Sequence, residues 1–595
     1  MFLKIKINLG ILYKIRENNL LQVVKKDNRR FEELKEFFGE IKHKLTDIEI
    51  KRMKLELSLV ETDINEMEHF QVSKKLIRVL KQQKIKPLSS DVLEVLERSY
   101  DIAGFGCRTS CLSSSNIVLE TEKLLKEKNL DTFKFVSVKG HMAPFIYANE
   151  YVNTNFSLLY LYALHYSDII SPIVDDNYTE QGITASYNLG YGLGRVLSMM
   201  MKNPDKKYIV LIGDSDLSFG ATLEALMYIK TQNYNNLTLL IDFNKFGFEA
   251  RPDGFDSTVL ESFFDKTIEV DDANLKDNED FKNMILSSKR GAVFINTKKE
   301  NHKITLFSAK DEKDNKIVRL TKEYGKLVAK FNRKHQKELR IFTPDLASRF
   351  FLQENNLSYV NTTVAEALTP VIASKQDTFS AIATDQKYST NMIGSILELY
   401  KDTGKVLLTL AKSWDYWGGE ANALNLLNTL PDVTVYEPCS KVELSHLLES
   451  HYVYPSYKTI ISVSDVEFPK LDFEPKLREA NFLIEKKSRN LIVSFGIATA
   501  LVYDVANELE IDLIHFAKMR LSYSETLQKK LNEYNHIYLM EYNGKRHGFS
   551  EGFLSLYNIA NYTIKTSKEV IPKMKAVEQI AYHDFSPKQL KKFLT

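Results

Sequence analysis

Cysteine is scarce in this chain of 595 residues: three, at Cys107, Cys111 and Cys439. They make neither a disulfide framework nor a spaced zinc set, so a reducing, cytoplasmic setting is expected. An excess of either charge is missing as well. Lysine plus arginine number 80 against 78 for aspartate plus glutamate, a formal net charge of +2. That balance provides no global field for nucleic acid or an anionic membrane, and neither partner is expected. No apolar run approaches the ~20 residues that span a bilayer. The opening MFLKIKINLGILYKI lacks a long apolar core followed by a small-residue cleavage site, so no signal peptide is expected. What is present is a globular composition, 44% hydrophobic and 27% charged, in a chain long enough for several domains.

From about Asp27 to Ser90 the chain is rich in Lys and Glu and poor in Gly. Phe31, Leu34, Phe38, Ile41 and Leu45 recur at helical spacing, which predicts helices with one apolar face. We assign residues 1–91 to a helical N-terminal extension packed on its own protein. From Val92 onward, apolar runs bounded by Gly and Asp alternate with helical stretches: YIVLIGD, LTLLIDFN and GAVFINT first, then KVLLTLAKS, VTVYEP and KTIISVSD, then NLIVSFG, IDLIHFA and HIYLMEY. Such runs read as strands buried on both faces of parallel sheets. The expected fold class is α/β, with three successive doubly wound domains over 92–325, 338–482 and 486–595. The lysine-rich stretch from Lys310 to Lys337 reads as a linker or helical connection.

The segment YIVLIGDSDLSFGATLEALMYIKTQNYNNLTLLIDFNKF predicts strand, turn, helix, strand, turn. A right-handed crossover puts both turns on the same carboxyl edge, where open α/β sheets bind ligands. Asp214 and Asn244 would meet there. Gly213 lets backbone approach a phosphate, and the helix from about Gly220 turns its N–H groups towards an anion. A hard cation takes oxygen ligands, which the Asp214 carboxylate, the Asn244 amide and the Phe246 carbonyl would supply.

This stretch resembles the diphosphate-binding signature of thiamine enzymes, a Gly-Asp-Gly followed about thirty residues later by Asn. Three neighbours resemble transketolase in particular: KGHMAPFIYA (Lys139 to Ala148), ASYNLGYGLG (Ala185 to Gly194) and AGFGCRTSCLSSSNI (Ala103 to Ile117). Their order along the chain also matches that family. LGYGLG taken alone imitates a dinucleotide fingerprint, but no clear buried strand precedes it. The resemblance implies thiamine diphosphate with Mg2+ or another divalent cation as cofactors, and a homodimer with active sites at the subunit interface. It implies cofactor contacts from Gly213, Asp214, Ser215, Glu224, Asn244, His141, Glu366 and Tyr388, with Asp214, Asn244 and Phe246 on the metal. Glu366, in VNTTVAEALTPVIAS, matches the family's activating glutamate, which as a buried acid bonds a pyrimidine ring nitrogen. His141 matches a histidine lining the cofactor pocket and able to assist proton transfer. Glu224 matches a glutamate that links two active sites.

Several positions depart from the pattern. Ser215 replaces a glycine, which is tolerable if the local φ is negative. Cys107 stands at the family's first active-site histidine, and SWDYWGGEAN (Ser413 to Asn422) carries no histidine. PSYKTIISVSD (Pro455 to Asp465) lacks the arginine that grips a substrate phosphate; Ser462 lies near that place, and serine cannot supply the charge. Arg108, Arg195 and Arg349 are alternative cations, each with a structural or solvated explanation of its own. Phe379 and Tyr388 flank the position of the aromatic residue that stacks on the pyrimidine.

The resemblance therefore implies transfer of a two-carbon ketol or acyl unit from a ketose or 2-oxo acid donor to an aldehyde acceptor, with an atypical substrate. Two alternatives stay open. One is a decarboxylative condensation like that of deoxyxylulose-phosphate synthase. The other is a catalytically silent cofactor-binding paralogue that acts as a scaffold.

Overall fold

The structure is a computed structural model that describes residues 32, 34–62, 89–103, 108–130, 132–154, 157–163, 190–245, 258–298, 317–344, 346–362, 368–374, 380–398, 406–412, 419–420, 423–431, 433–454, 459–544, 546–568, 570–571 and 580–595. The expected α/β class with parallel sheets is what it shows. Strands β1 (Phe133–Ser137), β2 (Lys207–Gly213), β3 (Leu237–Phe243), β4 (Lys266–Asp271) and β5 (Gly291–Asn296) form the first sheet, in the order β1-β2-β3-β5-β4. Every neighbouring pair in it is parallel.

All seven residues of β2 and all seven of β3 are buried, so both faces are covered. The period of two sorts their side chains. Ile209, Leu211, Leu240, Val293 and Ile295 join one apolar cluster. Tyr208, Val210, Ile212, Leu239, Ile241 and Phe294 join another on the opposite face. Each such side chain contributes about 1.5–3 kcal/mol when fully buried, which is why a near-continuous apolar run settles as an interior strand rather than a surface one.

The N-terminal helices complete the first cluster. Leu34, Phe38 and Ile41 are buried in it, and Leu45 packs against it; Phe31 lies outside the described residues. Two buried carboxylates on the Asp47–Thr62 helix tie it to the first sheet unit. Glu56 accepts from the Ser157 hydroxyl at 2.7 Å and from the backbone N–H groups of Leu158 and Leu159 at 3.1 and 2.8 Å, capping the short helix that starts there. Arg52 completes its coordination at 3.0 Å. Glu49 accepts from Arg98 at 2.9 Å and from the Tyr162 hydroxyl at 2.5 Å. Burial would raise the Glu49 carboxyl, but the bonds from Arg98, Tyr162 and Thr46 outweigh it and hold it at about 2, against an ordinary 4.5.

The second sheet contains β7 (Arg340–Thr343), β8 (Tyr359–Asn361), β9 (Ser380–Asp385), β10 (Val406–Lys412), β12 (Thr434–Tyr436) and β13 (Thr459–Ser464), ordered β12-β13-β10-β9-β7-β8 and parallel throughout. Two short ribbons flank it: β6 (Ile317–Val318) pairs with β14 (Phe468–Pro469), and β11 (Gly419–Glu420) with β20 (Val570–Ile571). The lysine-rich connection contains the Leu320–His335 helix, whose Leu320, Tyr324, Leu327, Val328 and Phe331 lie in the core of this second unit. That core therefore begins before Arg340, because the lysines occupy only the outer face of the helix.

The third sheet runs β15-β17-β16-β18-β19, from β15 (Asn481–Ile484), β16 (Asn490–Phe495), β17 (Asp512–Phe516), β18 (His536–Glu541) and β19 (Tyr562–Thr566); β15 is antiparallel to β17 and the other pairs are parallel. Two apolar clusters span the second and third units, one from Val318 to Leu594 and one from Phe342 to Tyr557. A buried polar joint crosses the same boundary. Lys412, at the end of β10, bonds both Glu437 oxygens at 3.0 Å and the Asn543 side-chain oxygen at 3.1 Å. Glu437 in turn accepts from the Ile497 N–H at 3.0 Å. Gly496 makes this approach possible: its φ is +57°, and a Cβ there would sit 2.5 Å from the Glu437 carboxylate.

Candidate active site

Strands β2 and β3 run parallel with Gly213 paired to Asp242, so the turns after them emerge side by side. The backbone N–H of Lys245 donates to Asp214 Oδ2 at 2.7 Å, and the Asp214 N–H donates to the Asp242 carbonyl at 3.3 Å. Asp214 and Asn244 are 3% and 8% exposed, which leaves two nearly buried oxygen-bearing side chains at one carboxyl edge. Gly213 ends β2 where a Cβ would stand 3.3 Å from Asp216 Oδ2. Ser215 has φ −59° in the right-handed helical region, so serine takes the glycine position without backbone strain. Phe246 lies outside the described residues.

Two carboxylates behind this edge gather the neighbouring segments. Asp242, fully buried, accepts from Ser113 at 2.8 Å and Ser114 at 2.6 Å. It also bonds the Lys139 ammonium and the Thr297 hydroxyl. Burial opposes its charge, but the Lys139 cation and these donors hold its carboxyl below the usual aspartate range. Asp216 accepts from the Gly190 N–H at 3.0 Å, and burial pushes its carboxyl up to about 6. Thr222 donates back to the Gly190 carbonyl at 3.0 Å. Gly190 has φ +88°, and a Cβ there would lie 2.4 Å from the Phe219 Cβ, so both conformation and space require glycine.

In this way the described parts of AGFGCRTSCLSSSNI, KGHMAPFIYA and ASYNLGYGLG meet at this edge. Ser113 and Ser114 come from the first, Lys139 from the second and Gly190 from the third, with Asp214, Asp216, Asp242 and Asn244 from the two strand tips. Lys139, Asp216 and Asp242 were not singled out as individuals. Their signal was available: a charged residue inside a run that is otherwise buried must have a partner.

His141 is half-buried in the Gly140–Met142 turn, two residues beyond Lys139. Glu224 is exposed on the Gly220–Thr231 helix, on the same face as exposed Met227 and Tyr228. Tyr388 is half-buried in the Gln386–Met392 turn after β9. Glu366, Phe379 and Cys107 lie outside the described residues, as does most of Ser413 to Asn422. Ser462 is buried within β13 and donates to Gln386 at 3.3 Å. Two alternative cations are engaged by carboxylates: Arg108 pairs with Glu97, and Arg349 with Asp385 at 3.1 Å and Asp465 at 3.3 Å. Arg195 is half-buried on the Gly192–Lys202 helix. No helix among the described residues is long and apolar enough to cross a membrane.

Fold and site together define an α/β protein that gathers oxygen-bearing side chains at the carboxyl tips of two adjacent parallel strands. No protein-family profile matches the chain. In sequence, it is 31% identical over 158 residues to human transketolase, covering 24% of this chain and 25% of that one. It is 34% identical over 76 residues to the 1-deoxy-D-xylulose-5-phosphate synthase of Fusobacterium nucleatum, 13% of either chain. These matches relate the chain to the transketolase-like superfamily, although it spans only about a quarter of the length of the transketolases it matches. Superposed on a transketolase structure from Campylobacter jejuni, it covers 84% of itself and 99% of that chain, at a TM-score of 0.42 and 13% identity. The fold accordingly rests on its own sheets and registers rather than on that overlap.

Proposed function

We propose that the chain is a cytoplasmic thiamine-diphosphate-dependent transferase, transketolase-like, that moves a two-carbon ketol unit from a ketose to an aldehyde acceptor. The observation that carries this proposal is the bond from the Lys245 N–H to Asp214 Oδ2, which joins the two strand tips at one edge. The residues fit the group. Asp214 and Asn244 offer the carboxylate and amide oxygens that a magnesium ion takes alongside phosphate oxygens, in a setting where burial strengthens the attraction. Thiamine diphosphate, when bound, supplies the carbanion chemistry that protein side chains lack.

The chain's own residues would hold and orient it. Gly213 and Ser215 shape the turn against the diphosphate, and Phe246 would add its carbonyl to the metal. Glu366 would hold a proton at its carboxyl towards the pyrimidine ring, and His141 would move one near the substrate. Tyr388 would pack on the ring. Glu224, with Met227 and Tyr228 beside it, would face the second subunit of a homodimer. An atypical donor follows from Cys107 and from the serine, Ser462, near the family's phosphate-binding arginine.

Calorimetry with thiamine diphosphate and magnesium, on wild type and Glu366→Ala, followed by donor consumption, tests the proposal. The expected result is binding in both, with ketose consumption only in wild type and no carbon dioxide from pyruvate. The similarity to a deoxyxylulose-phosphate synthase favours a second reading, decarboxylative condensation, and pyruvate-dependent carbon dioxide release would establish it instead. Cofactor binding without consumption of any donor would leave a scaffold. No cofactor binding at all would end the assignment.

A further inference from the structure

Away from that edge, a thiol, a carboxylate and an imidazole converge in the core between the second and third units. Cys439 precedes the Lys441–Val453 helix, Glu443 lies in its first turn, and His515 is on β17. All three are fully buried, and one ligand atom from each lies within 4.8 Å of the others. His515 Nε2 is 3.0 and 3.1 Å from the two Glu443 oxygens and 3.5 Å from Cys439 Sγ.

The hydrogen bonds around the ring are satisfied with the Nδ1 proton turned away from the cluster and Nε2 facing it. Ser494 donates its hydroxyl proton to the Ile514 carbonyl at 3.1 Å. Thr499, 2.7 Å from Ser494 Oγ, must therefore donate to Ser494. The remaining Thr499 lone pair then accepts from His515 Nδ1, 2.7 Å away. The proton is fixed on Nδ1, and Nε2 is directed at the thiol and the carboxylate. A threonine that pins the far nitrogen is the outer-shell arrangement that orients histidine ligands.

We propose that Cys439, Glu443 and His515 form a binding site for a divalent d-block cation, zinc above all, that staples the second unit to the third. A thiolate sulfur at about 2.3 Å and an imidazole nitrogen at about 2.0–2.1 Å from one tetrahedral zinc are about 3.5 Å apart, the separation seen between Sγ and Nε2. Thiolate, carboxylate and neutral imidazole sum to two negative charges, which a divalent cation cancels in a site buried from solvent. Two protons leave as the ion enters: the Cys439 thiol proton, and the one shared between Glu443 and His515 Nε2. Glu443 is held in place beforehand, since its Oε2 accepts from the Cys439 N–H at 2.8 Å and its own N–H donates to Ser440 at 3.1 Å.

The test uses the full chain, stripped with chelator, reduced, and titrated anaerobically with Co2+. The expected result is one equivalent bound with thiolate-to-cobalt charge-transfer absorption, removed by added Zn2+ and absent in Cys439→Ser. Thr499→Val should weaken binding about 10–100-fold. The double variant Cys107→Ser, Cys111→Ser keeps Cys439 as its one thiol and should keep the band, which decides the question even if Cys439→Ser fails to fold. A wild type or double variant without the band overturns the proposal, as does a band that survives in a folded Cys439→Ser. Magnesium and thiamine diphosphate give no thiolate band, so failure of the proposed transferase activity would leave this measurement unaffected.

Discussion

Asp214 carries the proposed cofactor grip, and its side chain accepts from the Lys245 N–H at 2.7 Å and from the Ser215 hydroxyl at 3.5 Å. Asp214→Ala should therefore abolish magnesium-dependent binding of thiamine diphosphate by calorimetry, while the far-UV circular dichroism of the parallel sheet stays unchanged. Unaltered cofactor affinity would remove Asp214 from the site. At this scale the sequence was informative where chemistry and spacing coincide, as with Asp214 and Asn244, because a parallel crossover fixes where successive strand tips emerge. It was uninformative where a side chain's role depends on partners far along the chain. Asp242 looks like one more residue of LTLLIDFN until Ser113, Ser114, Lys139 and Thr297 converge on it. The Cys439–His515 contact joins residues 76 positions apart, and no periodicity announces it.

Among the elements, the N-terminal helices are the instructive case. Their apolar face was legible from helical spacing, but the mode of attachment was not. Glu56 is buried, paired with Arg52, and serves as cap for the helix starting at Leu158. Glu56→Ala should cost about 3–5 kcal/mol, the scale for breaking a buried pair and stranding its partner, read as a lower midpoint in urea denaturation. Glu49 adds a dependence on acid. Its folded value of about 2 lies below the ordinary 4.5, so the stability it contributes is complete above 4.5 and is lost as pH falls towards 2. Glu49→Gln should flatten the denaturation midpoint across that window; an unchanged pH slope would show that the Arg98 and Tyr162 bonds do not carry the docking.

Over the whole molecule, a second carboxyl works in the opposite sense. Glu541, at the end of β18, accepts from the N–H groups of Phe549 and Ser550 at 2.8 Å. Burial nevertheless pushes it up to about 7. A raised folded value means that its contribution is full below about 4.5 and is lost as pH rises through about 7. Thermal midpoints should drift down over that interval in wild type and stay level in Glu541→Gln. The buried strands of the larger sheets were legible because each is a short apolar run, but the way the sheets pack together was not. Lys412 finds Glu437 and Asn543, 25 and 131 positions away, through contacts that only the folded chain creates. The apolar cluster they accompany draws on residues from Val318 to Leu594, while the clusters of the first unit end with Ile295 and Phe294. The polypeptide thus has one natural seam. Severed between Lys298 and Ile317 and produced as two pieces, it keeps each apolar cluster of the described residues intact on a single fragment; severed between Leu471 and Asn481, it tears two of them apart.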